Sequence, residues 1–463
     1  MIKILSLTIL LLASMPALGV GVKDSPHALK SLEIYKTIIG IPTVAGRGKV
    51  PEMATYLANE FREVGFTEKD IQIIPVGETV SLIVRYEGDG THNKPILLLG
   101  HMDVVEALEK DWDRPPFELT QDDKYFYGRG SIDNKLGITM LSSTFIRLKK
   151  QGFVPDRDIF IVFSGDEETS MLTTRMLANE RPELALAEYA LNSDAGGGDL
   201  DENGKAIAYL VQAAEKTYVS FELTLRNKGG HSSRPRPDNA IYELSAALLN
   251  IRDHHFPVMW SDMTREFFKV SGTQLGGELG QAMTAFAADP TNKKASERLQ
   301  KESSYVGTTR TTCVTTMLTA GHAENALPQS ATATVNCRIF PGISVENVKQ
   351  TLQKVVKNNA IEFVTLGEPV ESPISELRDD VMMAVNKAIH ARYAKVQTIA
   401  YMESGGTDGM HFRNAGIPTW AVSSVFMRPD EMFAHGLNER LPIKTFYDGL
   451  DHWSIILKEL TSQ

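Results

Sequence analysis

The stretch Pro95-Ile96-Leu97-Leu98-Leu99-Gly100-His101-Met102-Asp103 is a continuous apolar run that stops at a histidine and an acid. It is too short for an ordinary helix, and its lack of alternation means that both faces meet apolar neighbours. Such a run suits a strand in a parallel sheet covered on both sides. Two further runs share this character, Ile159-Phe160-Ile161-Val162-Phe163 and Tyr189-Ala190-Leu191. A helical stretch, Lys135 to Lys150, separates the first two. Residues 28 to 66 also read as helices, with Ala54, Leu57, Ala58, Phe61 and Val64 at helical spacing. Alternating strand and helix predicts an α/β fold with a mostly parallel central sheet and helices on both faces.

Moving outward, the pattern changes near Lys216. Val219 to Arg226 alternates polar and apolar, the mark of a strand with one wet face. A helix from Ala240 to Asn250 follows, then strands at 311–320 and 331–340. A helix opened by Ser344 runs from Val345 to Lys357, and a last strand covers 361–366. The order β-α-β-β-α-β is a split, ferredoxin-like motif. Residues 216–368 are therefore read as an α+β domain inserted into the α/β domain, with 255–308 as its helical elaboration. The α/β pattern resumes after Ser372, so the main domain comprises 20–215 and 369–463.

A length of 463 residues calls for two or three domains. With 42% hydrophobic and 23% charged residues, disordered and fibrous classes drop out. The formal net charge is -10, with no basic run, so no nucleic-acid partner is expected. Lys3, the apolar run from Ile4 to Ala13, and the small residues Ala17 and Gly19 read as a cleaved secretory signal over 1–19. That predicts an exported protein with no stable membrane anchor. There are 2 cysteines, Cys313 and Cys337. If strands 311–320 and 331–340 pair antiparallel about Asn325, these two stand opposite each other at a separation a disulfide can span. A one-residue slip would put them on opposite faces, so the bond stays open at this level.

The chemistry-bearing residues gather at strand ends, where open α/β sheets bind ligands. His101 can ligate a metal through one ring nitrogen while Asp103 holds the other N–H and fixes the tautomer; a strand-end histidine can equally be structural. Asp133 precedes the 135–150 helix, either as an N-cap or as a carboxylate bridging two metals. Asp166-Glu167-Glu168 places three acids in a row after an apolar strand, a crowding that a dication would relieve. Asp194 follows the next strand. His435 lies late in the chain, after the Gly-rich turn Ser404-Gly405-Gly406-Thr407-Asp408. Asn336 and Arg338 are two apart on one strand and so share a face.

Taken together, the order His101-x-Asp103, Asp133, Glu167-Glu168, Asp194, His435 resembles the co-catalytic zinc family of glutamate carboxypeptidase, acetylornithine deacetylase, succinyl-diaminopimelate desuccinylase and aminoacylase. The stretches His101-Met102-Asp103-Val104-Val105 and Tyr127-Gly128-Arg129-Gly130 look closest to its carboxypeptidase S-like branch. The resemblance covers essentially the whole mature chain, including Gly229-Gly230-His231-Ser232-Ser233 in the inserted domain, which in that family is a lid or dimerisation domain. It implies two Zn2+ ions, one held by His101 and Asp194, one by Glu168 and His435, with Asp133 bridging. It assigns Glu167 as general base and Asp103 as the partner of His101. His231 would approach the substrate carbonyl, often from the partner subunit of a homodimer. Asn336 and Arg338, with Gly405 and Gly406, would bind substrate, Arg338 gripping a carboxylate.

The implied function is exported amide-bond hydrolysis of small peptides, as a carboxypeptidase or other exopeptidase. N-acyl amino acid deacylase, dipeptidase and aminopeptidase remain as alternatives on one scaffold. A non-catalytic binding protein of the same fold is disfavoured by the intact Glu167 and full ligand set.

Overall fold

A computed structural model describes residues 22–462. The reading of 1–19 as a leader lies outside the described residues. No helix among the described residues is long and apolar enough to cross a membrane.

The three apolar runs form the middle of a ten-stranded sheet. Strand Ile96–His101 pairs in parallel with Ile159–Ser164 on one side and Tyr189–Asn192 on the other. Their side chains alternate between two cores. Ile96, Leu98, Ile159, Ile161 and Phe163 pack with helices Pro26–Ile39, Val50–Glu63 and Lys135–Lys150. Leu97, Leu99, Phe160 and Val162 pack against Leu177, Phe412 and Ile417 on the opposite side. Burial on both faces is why these segments show no polar alternation. The sheet continues in parallel through Thr419–Ala421. Its other margin is an antiparallel hairpin, Ile71–Val76 with Thr79–Tyr86.

Strand Ala206–Glu215 of this sheet leads through Lys216 directly into Thr217–Arg226 of a second, four-stranded antiparallel sheet. Its order is Thr312–Ala320, Ser330–Ile339, Thr217–Arg226, Glu362–Leu366. Helices Ala240–Asp253 and Val345–Val355 cover one face through Leu244, Ile251, Val348 and Leu352. Ser344 caps the second of these helices by accepting from the amide of Asn347. This is the expected ferredoxin-like α+β insertion. Four helices between Asp262 and Thr309 form the elaboration. The wet face expected for Thr217–Arg226 is partly covered, with Ser220 and Thr224 buried, because the strand is central and hydrogen-bonded on both edges. Cys313 stands opposite Cys337 in the register, and the two form a disulfide with a Cα–Cα separation of 4.1 Å.

Candidate active site

The parallel strands deliver three acidic or histidine loops to one edge of the sheet. His101 ends its strand, Asp166-Glu167-Glu168 follows Ile159–Ser164, and Asp194 follows Tyr189–Asn192. Two more loops arrive beside them. One precedes helix Lys135–Lys150 and carries Asp133; the other carries His435. The second is tied to the first by a small sheet in which Arg440–Pro442 pairs with Tyr125–Tyr127.

Asp133 lies between the two histidines. His101 Nε2 is 2.8 Å from Asp133 Oδ1 and 3.2 Å from Asp194 Oδ1. His435 Nε2 is 3.1 Å from Asp133 Oδ2 and 2.9 Å from Glu168 Oε1. Each oxygen of Asp133 thus faces a different imidazole, and each imidazole has one further carboxylate of its own. The capping position of the helix belongs to Asn134, so the N-cap alternative for Asp133 is not the one realised.

Three overlapping groups, His101-Asp133-Asp194, Asp133-Glu168-His435 and His101-Glu167-Glu168, have ligand atoms within 4.8 Å of one another. The donors are all N or O, as in hydrolytic zinc sites. The electrostatics of the cluster suit a cation. Burial opposes protonation of His101, yet the charges of Asp194, Asp103 and Asp133 hold its pKa well above the usual range. Hydrogen bonds to Asp133 and Glu168 push His435 up to about 10. Burial raises Glu167 strongly, with Asp194, Asp408 and Glu168 adding to it against the pull of His101. Burial likewise raises Glu168 and Asp194. Carboxylates this crowded must share protons or share a metal.

Asp103 lies against both His101 and the two glutamates. The Nδ1 of His101 meets the Asp103 backbone carbonyl at 3.1 Å, while its carboxylate oxygen stands 3.6 Å away. That carboxylate instead accepts from the amides of Glu167 and Glu168 at 3.1 and 3.0 Å. Asp103 therefore orients the histidine through its main chain and the two glutamates through its side chain. Glu167 carries no side-chain hydrogen bond among the described residues, unlike Glu168, and so keeps its carboxylate available.

Other expected residues are less central. His231 is exposed in a short ribbon with Ala326–Leu327, its Nδ1 bonded to Ser233. No hydrogen bond joins it to the cluster among the described residues. Asn336 and Arg338 do share a face, but the Asn336 amide donates to Val219 O and Ser220 Oγ in its own sheet. Arg338 crosses to the main domain, donating to Ser404 O at 2.9 Å and lying 4.6 Å over the Tyr218 ring. The amide of Gly405 bonds Glu403, and Gly406 follows it in the same turn. Three residues went unassigned in the sequence. Asp408 is buried and accepts from Ser164 and Thr174; burial pushes it up to about 7. Arg129 and Glu439 form a buried ion pair at 2.7 Å.

Residues 97–459 match the family model described as Peptidase family M20/M25/M40. The chain belongs to this family. As a member it is a metal-dependent hydrolase of the metallopeptidase and amidohydrolase type. An N-fatty-acyl-amino acid synthase/hydrolase of Xenopus tropicalis is 28% identical over 425 residues, 89% of this chain and 82% of that protein. A probable carboxypeptidase S-like protein of Dictyostelium discoideum is 27% identical, covering 82% of this chain and 74% of its own length. Among solved structures, an M20 family metallo-carboxypeptidase from Sulfolobus solfataricus superposes with a TM-score of 0.71 at 19% identity, over 93% of this chain and 99% of that one. That likeness bears on the fold alone.

Proposed function

We propose that this chain is a dinuclear zinc exopeptidase, acting on small peptides with a free C-terminal carboxylate. The observation that carries the reading is Asp133, whose two oxygens each face a histidine that has its own second acid. His101 and Asp194 would hold one zinc, Glu168 and His435 the other, with Asp133 common to both. When bound, the ions supply Lewis acidity, activating a water and polarising the scissile carbonyl. Glu167, unengaged and with a raised affinity for protons, takes the proton of the attacking water and hands it to the leaving amine. Asp103 keeps Glu167 and Glu168 in place through their amides. Arg338 neutralises the substrate carboxylate, and His231 would approach the carbonyl from the partner subunit of a homodimer. In this reading 216–368 is a separate domain serving as lid and dimer contact, 20–215 and 369–463 together form the catalytic domain, and the chain is exported.

A second reading, an N-acyl amino acid deacylase, is favoured by the name of the Xenopus relative. Both substrates present an amide bond beside a free carboxylate, so one site serves either. Turnover of zinc-loaded protein on free dipeptides, C-terminally amidated dipeptides and N-acyl amino acids, with and without chelator, decides between them. Chelator-insensitive turnover, or none on any of the three, would end both readings.

A further inference from the structure

The acids that ligate cannot set their own positions, because Asp133 and His435 both sit on loops. His435 also adopts a left-handed backbone with φ 63°, a conformation that a non-glycine residue keeps only when its surroundings hold it there. Besides the small sheet and the Asn438–Asp113 contact, one buried pair holds these loops. Glu439 is 0% exposed and Arg129 2%. The Glu439 carboxylate accepts Arg129 Nη1 at 2.7 Å and the amide of Gly130 at 3.1 Å on one oxygen. Its other oxygen accepts the amide of Ile132 at 2.7 Å and that of Asp133 itself at 3.3 Å. The Glu439 carbonyl receives the amide of Gly128. One residue of the His435 loop therefore binds four amides of the Asp133 loop.

The guanidinium works in the opposite direction. Arg129 Nη2 reaches the carbonyls of His435 and Gly436 at 3.4 and 3.3 Å, and its plane lies 5.2 Å from the Trp112 ring. The chain segment that brings Asp133 thus also grips the backbone of His435. The two ligands that belong to the other site alone are held without this pair. His101 is oriented by the Asp103 carbonyl and Asp194 by Asn192, whose side chain accepts the Asp194 amide at 3.0 Å.

We propose that Arg129 and Glu439 are the positioning residues of the second metal site: a preformed clasp that fixes Asp133 and His435 relative to each other before any metal arrives. This rests on the dinuclear reading above. A lysine at 129 would keep the charge opposite Glu439, but it lacks the planar fork that lets Arg129 reach both the carboxylate and the two carbonyls. The clasp therefore predicts a defect in Arg129→Lys that mere charge balance does not.

The test is zinc binding by equilibrium dialysis on folded wild type, Arg129→Lys and Glu439→Gln, together with steady-state kinetics. Wild type is expected to take two zincs. Both variants are expected to weaken both zincs through the shared Asp133, with a loss at the second, which also depends on His435, at least tenfold greater than at the first. Added zinc should restore kcat, with KM unchanged. Wild-type affinity for both zincs in Arg129→Lys would overturn the clasp, as would an equal loss at both sites. If the variants do not fold, hydrogen exchange on metal-free wild type decides. The amides of Gly130 and Ile132 should already be protected without zinc, and rapid exchange there would refute preformation. A wild type that takes only one zinc overturns the dinuclear reading, and with it this proposal, in an arm that needs no variant.

Discussion

Glu167 and Glu168 are neighbours with opposite assignments, so replacing each by alanine separates base from ligand. Glu167 is 8% exposed and free of side-chain hydrogen bonds, while Glu168 Oε1 lies 2.9 Å from His435 Nε2. Every other carboxylate at the centre is engaged. Asp133 and Asp194 face histidines, and Asp103 holds two amides. Among the described residues no second base is placed to replace Glu167. A general base contributes about 10²–10⁴-fold, and at about 1.36 kcal/mol per decade that is about 3–5 kcal/mol of transition-state stabilisation. Glu167→Ala should therefore keep both zincs and lose turnover by that factor, with KM little changed. Glu168→Ala should lose zinc first, and its activity should recover in part at high free zinc. Metal content by elemental analysis alongside kcat reads both. Equal zinc loss in the two variants would refute the division of roles.

Other outcomes follow from the same geometry. His435 is raised from 6.5 to about 10, so it is protonated at neutral pH in the metal-free chain. Zinc needs the neutral ring, so affinity at the second site should climb as pH rises toward about 10, with proton release visible by calorimetry in buffers of different ionisation enthalpy. In the metal-free chain the sign reverses. The stability that His435 draws from Asp133 and Glu168 is complete below pH 6.5 and fades as pH rises through about 10, which thermal melts across that window would register. Arg338→Ala should lower kcat/KM by about 10–150-fold on free-acid substrates, the range for a hydrogen bond to a charged group, and far less on the amidated series; equal losses on both would remove Arg338 as the anchor. Unfolded, unreduced protein should show no titratable thiol. Reducing Cys313–Cys337, which are separated by 24 residues, should cost about 3.5 kcal/mol.

The sequence made the centre of the fold legible because its strands are buried on both faces. Ile96–His101 and Ile159–Ser164 have no polar side to disguise them. It left the hairpin Ile71–Tyr86 unread, where Gln72, Pro75 and the turn break the pattern at the sheet's margin. Ala206–Glu215 is equally hard to read; its alanines and buried Gln212 gain their place from pairing with Gln397–Glu403 and Thr419–Ala421, far along the chain, and not from their own propensity. At the site, the clustered acids and histidines were legible as a set through their order along the chain. Their supports were not. Glu439 sits in the same stretch as His435, but nothing in a loop acid announces that four amides converge on it. The main-chain part of Asp103 is silent for a related reason. Main-chain carbonyls carry no sequence signal, so no residue type announces the Asp103 carbonyl beside His101 Nδ1.

The most direct measurement is zinc content and turnover followed together as metal is stripped and returned, in wild type and in Asp133→Asn. Two ions sharing Asp133 require that wild type bind two zincs per chain, lose activity to chelator and regain it only as the second ion returns. They also require Asp133→Asn to bind both ions more weakly. Full turnover with one zinc or none, or an Asp133→Asn chain that holds two zincs as tightly as wild type, would contradict the shared-carboxylate centre.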